Sequence, residues 1–89
     1  MGSQQLTIDV LKRILREAAG EDESIDLEGD ILDLDFQALG YDSLALLETG
    51  GRIEREYAIQ LDDTTITEAE TPRALLAAVN DRLAAVHAV

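Results

Sequence analysis

The residue with the clearest chemical potential in this sequence is Ser43, which stands between Asp42 and Leu44. Asp42 is a good helix N-cap, and Gly40 permits a turn before it. We therefore expect an exposed Ser43 hydroxyl in the first turn of a helix. A helix N-terminus stabilises a phosphate by roughly 0.3–1 kcal/mol at a surface. Ser43 is accordingly a candidate attachment point for a phosphate-containing group, although an ordinary polar residue is also common there.

Catalysis by the chain itself is not supported by the residues around this serine. The segment from Gly40 to Leu44 does not form the G-x-S-x-G turn of hydrolases, and no base is placed to activate Ser43. The one histidine, His87, lies near a chain end and needs no role. There is no cysteine, so any thiol chemistry requires an added group. We expect no enzyme.

An acidic stretch in the first half of the chain matches a calcium-binding loop only in part. Aligning Gly29 with the invariant glycine of an EF-hand places Ser24, Asp26 and Glu28 at the first ligand positions. Ser then stands where Asp is needed, and the final position holds Asp35 where a bidentate Glu is needed. We predict no metal site and leave weak divalent-ion binding open.

Composition limits the class of protein. The chain has 89 residues, enough for a single domain over 1–89, and 46% of them are apolar. Its formal net charge of −12 predicts partners with basic faces and excludes nucleic acid and anionic membrane surfaces. No apolar run approaches the ~20 residues of a membrane span, and no signal peptide is visible. We expect a cytoplasmic monomer.

Hydrophobic spacing predicts an all-α fold of three main helices and one short helix. The first should run from Ile8 to Ala19, capped by Thr7 and ended by Gly20. The second should begin after Asp42, with its inward face formed by Leu46, Gly50, Ile53 and Tyr57. Residues 62–65 could start a short helical turn with Ile66 facing inward. The last should begin at Pro72 after the cap Thr71 and bury Leu75, Leu76, Val79, Leu83 and Val86.

A long connection separates the first two predicted helices. Residues 21–42 hold nine acidic residues and no basic one. A pure linker would not need apolar side chains, so we expect an ordered loop pinned to the bundle. The apolar residues that should pin it are Ile25, Leu27, Ile31, Leu34, Phe36 and Leu39.

Two adjacent glycines interrupt the second predicted helix. Each of Gly50 and Gly51 costs up to ~1 kcal/mol relative to alanine inside a helix. One interpretation is that both glycines are neutral substitutions, tolerated because packing stabilises the helix. The other is that Gly50, which belongs to the inward face, leaves a gap through which an acyl chain could enter the core.

The residues around Ser43 resemble the Asp-Ser-Leu attachment motif of acyl carrier proteins. Residues 39–46, Leu-Gly-Tyr-Asp-Ser-Leu-Ala-Leu, look like the discrete carriers of bacterial type II systems for aromatic polyketides. The likeness extends over nearly the whole chain, including the acidic loop and the Thr71-Pro72-Arg73 start of the last helix. Such carriers usually have other side chains at Gly50 and Gly51.

The resemblance implies a fold, a cofactor and partners. It implies an acyl-carrier-like bundle in which a phosphopantetheinyl transferase moves 4'-phosphopantetheine from coenzyme A onto Ser43, with Asp42 as the flanking cap. The arm's thiol would carry malonyl and growing polyketide chains as thioesters. Leu44, Leu47 and Glu48 match positions offered to partners, which would include malonyl transferase, ketosynthase and downstream polyketide-tailoring enzymes.

Other functions stay open at this point. A fatty-acid or peptidyl carrier would use the same attachment motif. A non-covalent acidic helical interaction domain would bind a basic partner, with Ser43 only a polar residue of the first helical turn. Intact mass after incubation with coenzyme A and a transferase separates the covalent carriers from the interaction domain.

Overall fold

The computed structural model describes residues 5–19, 27 and 29–87, and within these the regular elements are four helices. They are α1 (Ile8–Ala19), α2 (Ser43–Tyr57), α3 (Asp63–Thr67) and α4 (Pro72–His87). The prediction of three main helices, one short helix and a long connection after the first is confirmed. None of the described helices is long and apolar enough to cross a membrane.

Side-chain caps set the starts of the long helices. The hydroxyl of Thr7 accepts a hydrogen bond from the N–H of Val10 at 3.3 Å, and the hydroxyl of Thr71 accepts one from the N–H of Ala74 at 3.2 Å. Such caps satisfy N–H groups that have no partner inside the helix, each contributing about 1 kcal/mol. Both predicted N-caps are confirmed. Gly20, the predicted stop of the first helix, lies outside the described residues.

One hydrophobic core joins the described helices and their connections. Its members share near-complete burial and come from every element: Leu6, Leu11, Ile14, Leu15, Leu27, Ile31, Phe36, Leu39, Tyr41, Leu46, Ile53, Ile59, Leu61, Ile66, Ala69, Leu75, Val79 and Leu83. The predicted burial of Val86 is wrong, because this side chain is 39% exposed. Residues 84–86 are all exposed, so the last described turn of α4 extends beyond the side chains that cover Leu83.

Backbone hydrogen bonds tie the described part of the long connection to the start of α4. The N–H of Phe36 donates to the carbonyl of Glu70 at 2.8 Å, and the N–H of Arg73 donates to the carbonyl of Leu32 at 3.0 Å. The Arg73 guanidinium also pairs with Asp33 at 2.7 Å, and its hydrogen bonds lower the pKa of that carboxyl. The loop is therefore ordered where it approaches α2.

The apolar side chains of this loop do not all pin it. Leu27, Ile31, Phe36 and Leu39 are buried as predicted. Leu34 is 46% exposed, so its predicted anchoring role is wrong. Its N–H donates to the carbonyl of Ile31 at 3.1 Å, and the tight turn this closes leaves the side chain outside the core. Ile25 lies outside the described residues.

Of the two interpretations of the glycines, the one that leaves a gap at Gly50 is wrong. A β-carbon built on this glycine would lie 2.9 Å from Cγ1 and 3.3 Å from Cγ2 of Ile66, and closer still to its Cδ1. The side chain of α3 therefore fills the space that the glycine leaves. Gly51 differs, because a β-carbon there would meet no heavy atom within 4 Å.

Candidate attachment site and docking face

The site is built around the first residue of α2. Gly40 has a positive φ of 93°, which a glycine adopts without strain, and it turns the chain toward the helix. Asp42 then takes an extended conformation, and its Oδ1 accepts a hydrogen bond from the N–H of Ala45 at 2.9 Å. The structure confirms Asp42 as the N-cap of α2. Ser43 follows it and is exposed in the first turn, as the sequence indicated.

Tyr41 anchors this turn to the rest of the bundle. Its side chain is 1% exposed, and its hydroxyl donates a hydrogen bond of 2.7 Å to the carbonyl of Leu15 in α1. Its ring also meets Phe36 edge to face, with 6.3 Å between the ring centroids. The two residues before Ser43 are therefore fixed, one by the core and one by the helix cap. The serine hydroxyl is held at the surface by a rigid support.

A cleft opens beside Ser43. It has a volume of about 260 Å³, and its walls come from three parts of the chain. The lining residues are Asp35, Phe36, Gln37, Tyr41, Asp42, Ser43, Leu46, Thr67, Ala69 and Glu70. Gln37, Thr67 and Glu70 could not be assigned to the site from the sequence, since no periodicity relates the long loop to the α3–α4 connection.

The geometry fits a phosphodiester arm on the serine oxygen. The Ser43 side chain is exposed, so a bulky group can be added without moving the core. The Asp42 side chain accepts from the N–H of Ala45, and the other N–H groups in the first turn of a helix are suited to holding an anion. Asp35 and Glu70 also line the cleft and are exposed to water, which screens their repulsion of a phosphate. The covalent bond holds the group against that weak repulsion.

A second feature of α2 is its exposed outer face. Leu44 is 71% exposed, Leu47 is half-buried and Glu48 is exposed. Residues three and four apart share one side of a helix, so these three side chains form a continuous surface next to Ser43. We call Leu44, Leu47 and Glu48 the docking face. Leu44 is one of three large apolar side chains that the described residues expose, and it lies next to Ser43 in the chain.

In the described part of the chain, no three His, Cys, Asp or Glu side chains are arranged to hold a metal ion. Ser24, Asp26 and Glu28 of the calcium-loop comparison and the side chain of His87 lie outside the described residues.

Comparison with known proteins identifies relatives over almost the full length. The family described as "Phosphopantetheine attachment site" matches residues 9–79. The chain is 59% identical over 78 residues to the oxytetracycline polyketide synthase acyl carrier protein of Streptomyces rimosus, covering 88% of this chain and 82% of that protein. It is 60% identical over 85 residues to the monensin polyketide synthase acyl carrier protein of Streptomyces virginiae, covering 96% of each.

Solved structures show the same helical arrangement. The 3,5-dioxohexyl acyl carrier protein from the actinorhodin polyketide synthase of Streptomyces coelicolor, described as a triketide mimic, matches with a TM-score of 0.87. It is 46% identical, and the match covers 94% of this chain and 98% of that one. The fold of this chain is thus shared with a carrier protein described as bearing a triketide mimic.

Proposed function

Because the chain belongs to the phosphopantetheine attachment-site family of acyl carrier proteins, we propose that Ser43 carries 4'-phosphopantetheine and so tethers malonyl and growing polyketide intermediates. The arm supplies a terminal thiol, on which acyl groups are held as thioesters. The chain is a carrier and not a catalyst, since its relatives are carrier proteins of polyketide synthases. Those relatives favour polyketide over fatty-acid or peptidyl intermediates.

The exposed Ser43 hydroxyl at the start of α2 is the observation that carries this proposal. The hydroxyl oxygen would bond to the coenzyme A phosphorus that bears the pantetheine, and its proton would pass to a base. The pyrophosphate bond of coenzyme A would break, and adenosine 3',5'-bisphosphate would leave. An unassisted serine is a weak nucleophile, so a phosphopantetheinyl transferase must supply that base. The role of this chain is to hold the hydroxyl oxygen in a fixed, exposed position, through the Asp42 cap and the Tyr41 anchor.

Intact-mass measurement tests the attachment. After incubation with coenzyme A and a broad-specificity transferase, the wild type should gain the mass of one phosphopantetheine. Ser43→Ala should gain none and keep its circular dichroism spectrum, since the side chain is exposed. Ser24→Ala, which changes another serine of the sequence, should gain the arm as the wild type does. Modification of Ser43→Ala, or none of the wild type by an active transferase, would overturn the proposal.

The partners are the enzymes of a polyketide synthase. We propose that a malonyl transferase, a ketosynthase and tailoring enzymes bind the docking face. Leu44 supplies apolar contact, and Glu48 adds to a net charge of −12 that steers the chain toward basic surfaces. Association with such surfaces should be fast at low salt and slow at high salt.

A pair of charge reversals tests the docking face. Glu48→Lys should slow malonyl loading and condensation, because it places a cation against a basic partner. Asp81→Lys makes the same change in net charge at an exposed position of α4, away from the docking face, and should have the smaller effect. Equal effects of both variants would mean that only net charge matters and would remove the proposed surface.

Three further assignments belong to this proposal. We propose that residues 1–89 form one carrier domain, supported by the single core shared by the described helices. We propose a monomer, since the three large apolar side chains that the described residues expose, Leu34, Leu44 and Val86, lie in three different parts of the chain. A cytoplasmic location stays a prediction that cell fractionation can check.

A further inference from the structure

A straight row of residues runs along the outer side of α2, away from the cleft. It consists of Leu44, Glu48, Gly51 and Arg55, and it shares its first two members with the docking face. At 1.5 Å and about 100° per residue, the row is ~16 Å long, and its members lie within about 60° of one another around the helix axis. Leu44, Glu48 and Arg55 are exposed, and Gly51 is half-buried. We call these residues the α2 row.

The row carries two opposite charges that are not neutralised within the described part of the protein. There, neither Glu48 nor Arg55 takes part in an ion pair. By contrast, the exposed Arg13 of α1 pairs with Glu56 at 2.9 Å. Arg55 lies in the last turn of α2, where a cation also stabilises the helix through its dipole. The dipole explains a cation at this end of the helix but not its alignment with an exposed carboxylate on the same side.

Gly51 leaves the middle of the row without a side chain. A β-carbon built there would meet no heavy atom within 4 Å, so the space above the backbone is open. Packing inside the protein does not require this glycine, whereas at Gly50 the side chain of Ile66 takes up the space. A glycine inside a helix lowers its stability relative to alanine, and such local costs are expected at functional positions. Another molecule can approach the α2 backbone closely at this point.

We propose that the α2 row binds the partner enzymes of the synthase in one orientation, with a basic side chain of the partner against Glu48, an acidic side chain of the partner against Arg55, and close contact at Gly51. The inference rests on the proposed function. It adds an acidic group to the basic surface expected of the partner. That group lies ~10 Å from the basic one, which is the axial distance between helical residues seven positions apart.

The two charges distinguish the two directions in which a partner can lie along α2. In the productive direction, each charge meets its opposite. A carrier turned end to end would bring like charges together, which weakens binding. It would also carry Ser43 to the other end of the row, ~16 Å from the entrance of the partner's active site. A uniformly acidic face would not exclude this reversed arrangement.

Arg55→Gln and Ala77→Glu test the charge pairing, because the first removes one positive charge and the second adds one negative charge. Ala77 is exposed in α4, outside the row. Each malonyl-loaded variant is assayed with a ketosynthase that condenses malonyl carried by the wild type. Arg55→Gln should raise KM about two- to fivefold, as for loss of an exposed charge pair, and should change kcat less. Ala77→Glu should not raise KM, since added negative charge favours encounter with a basic surface.

Cross-linking tests whether a carboxylate of the partner faces Arg55. The sequence has one lysine, Lys12, which lies in α1. Arg55→Lys adds an amine at the end of the row, and a water-soluble carbodiimide joins an amine to a carboxylate with loss of water. Mass spectrometry of the digested product should show position 55 joined to an aspartate or glutamate of the ketosynthase. Ala77→Lys, which adds the amine in α4, should give a lower yield.

Gly51→Leu tests the close contact. Leucine is a good helix former and the space at this position is open, so the variant should melt at or above the wild-type temperature. Its KM should nevertheless rise by a factor similar to that of Arg55→Gln, because the new side chain stands where the partner approaches. A higher KM in a protein of equal or greater stability excludes loss of folding as the cause.

Three results would overturn the inference. A KM of Arg55→Gln equal to or below that of the wild type would mean that net charge alone guides binding. Cross-linking at position 55 no greater than at position 77 would mean that no carboxylate of the partner faces Arg55. An unchanged KM in Gly51→Leu would mean that the partner does not approach α2 closely there. Failure of the proposed function is distinguishable from all three, since the wild type would then gain no arm by mass and carry no malonyl.

Discussion

Replacing the two adjacent glycines of α2 by alanine, one at a time, should change stability in opposite directions. Both residues lie inside the helix, where glycine is up to ~1 kcal/mol less favourable than alanine. At Gly51 an added β-carbon has no heavy atom within 4 Å. Gly51→Ala should therefore raise the free energy of unfolding by up to ~1 kcal/mol.

The same change at Gly50 meets Ile66. The added carbon would lie 2.9 Å from Cγ1 and 3.3 Å from Cγ2, so the side chain or all of α3 must shift. Overpacking a core typically destabilises by about 1–3 kcal/mol. After subtraction of the ~1 kcal/mol gained in helix propensity, Gly50→Ala should lower the free energy of unfolding by up to ~2 kcal/mol.

Thermal and urea unfolding, followed by far-ultraviolet circular dichroism, measure both effects. For a domain of this size, 1 kcal/mol corresponds to a Tm change of roughly 4–8 °C. The Gly51→Ala protein should therefore melt above the wild type and the Gly50→Ala protein below it. Shortening the opposing side chain with Ile66→Val should recover part of the loss at Gly50 but not alter the gain at Gly51, a coupling that a double-mutant cycle isolates.

Equal stabilisation by the two alanines would refute the reasoning, because it would show that α3 does not lie against the backbone at Gly50. A loss of stability in Gly51→Ala would contradict the open helical environment of that position. Additive effects of Gly50→Ala and Ile66→Val would show that the two residues do not touch.

Three more outcomes are expected. Tyr41→Phe removes the buried hydrogen bond to the Leu15 carbonyl, so it should lower the free energy of unfolding by about 1 kcal/mol. It should also slow arm transfer to Ser43, because the turn before the serine is then held less firmly. An unchanged Tm and an unchanged transfer rate would contradict the anchoring role of Tyr41. The folded-state pKa of Asp33 is lowered by hydrogen bonds from Arg73, so this carboxylate contributes stability above the ordinary pKa of 3.8 and loses it as the pH falls through the lower folded value. Wild type and Arg73→Gln should thus differ slightly in Tm near neutral pH and converge in acid, and a constant difference would exclude the pair as the cause. Added salt or millimolar Mg²⁺ should raise the Tm by screening repulsion, because the chain has a net charge of −12 and nine acidic residues in 21–42. A Tm that does not change would show that those acidic residues do not repel one another appreciably.

The local geometry around Ser43 was largely predictable because it depends on neighbouring residues. The Asp42 cap and the turn at Gly40 act within a few residues of the serine, and both are present in the structure. The same holds for Thr7 and Thr71 at the starts of α1 and α4. Local hydrogen bonds of this kind can be inferred from residue type and spacing alone.

Burial was predicted less well, because periodicity says which way a side chain points but not what covers it. Leu34 and Val86 fit apolar patterns and are nevertheless exposed, one at a tight turn and the other beyond the covered part of α4. The two glycines illustrate the same limit. Gly50 and Gly51 are identical in sequence terms, but a neighbour from α3 occupies the space at one and none occupies it at the other.

The sequence by itself determined the helix order, the acidic surface and an exposed serine at a helix start, since caps, spacing and charge are properties of neighbouring residues. Only the tertiary structure decided the shape of the cleft and the close approach of Ile66 to Gly50. Gln37, Ser43 and Thr67 come from a loop, a long helix and a short helix that are distant along the chain. Their meeting, and the fit of Ile66 onto Gly50, depend on how three elements pack, which no local pattern specifies.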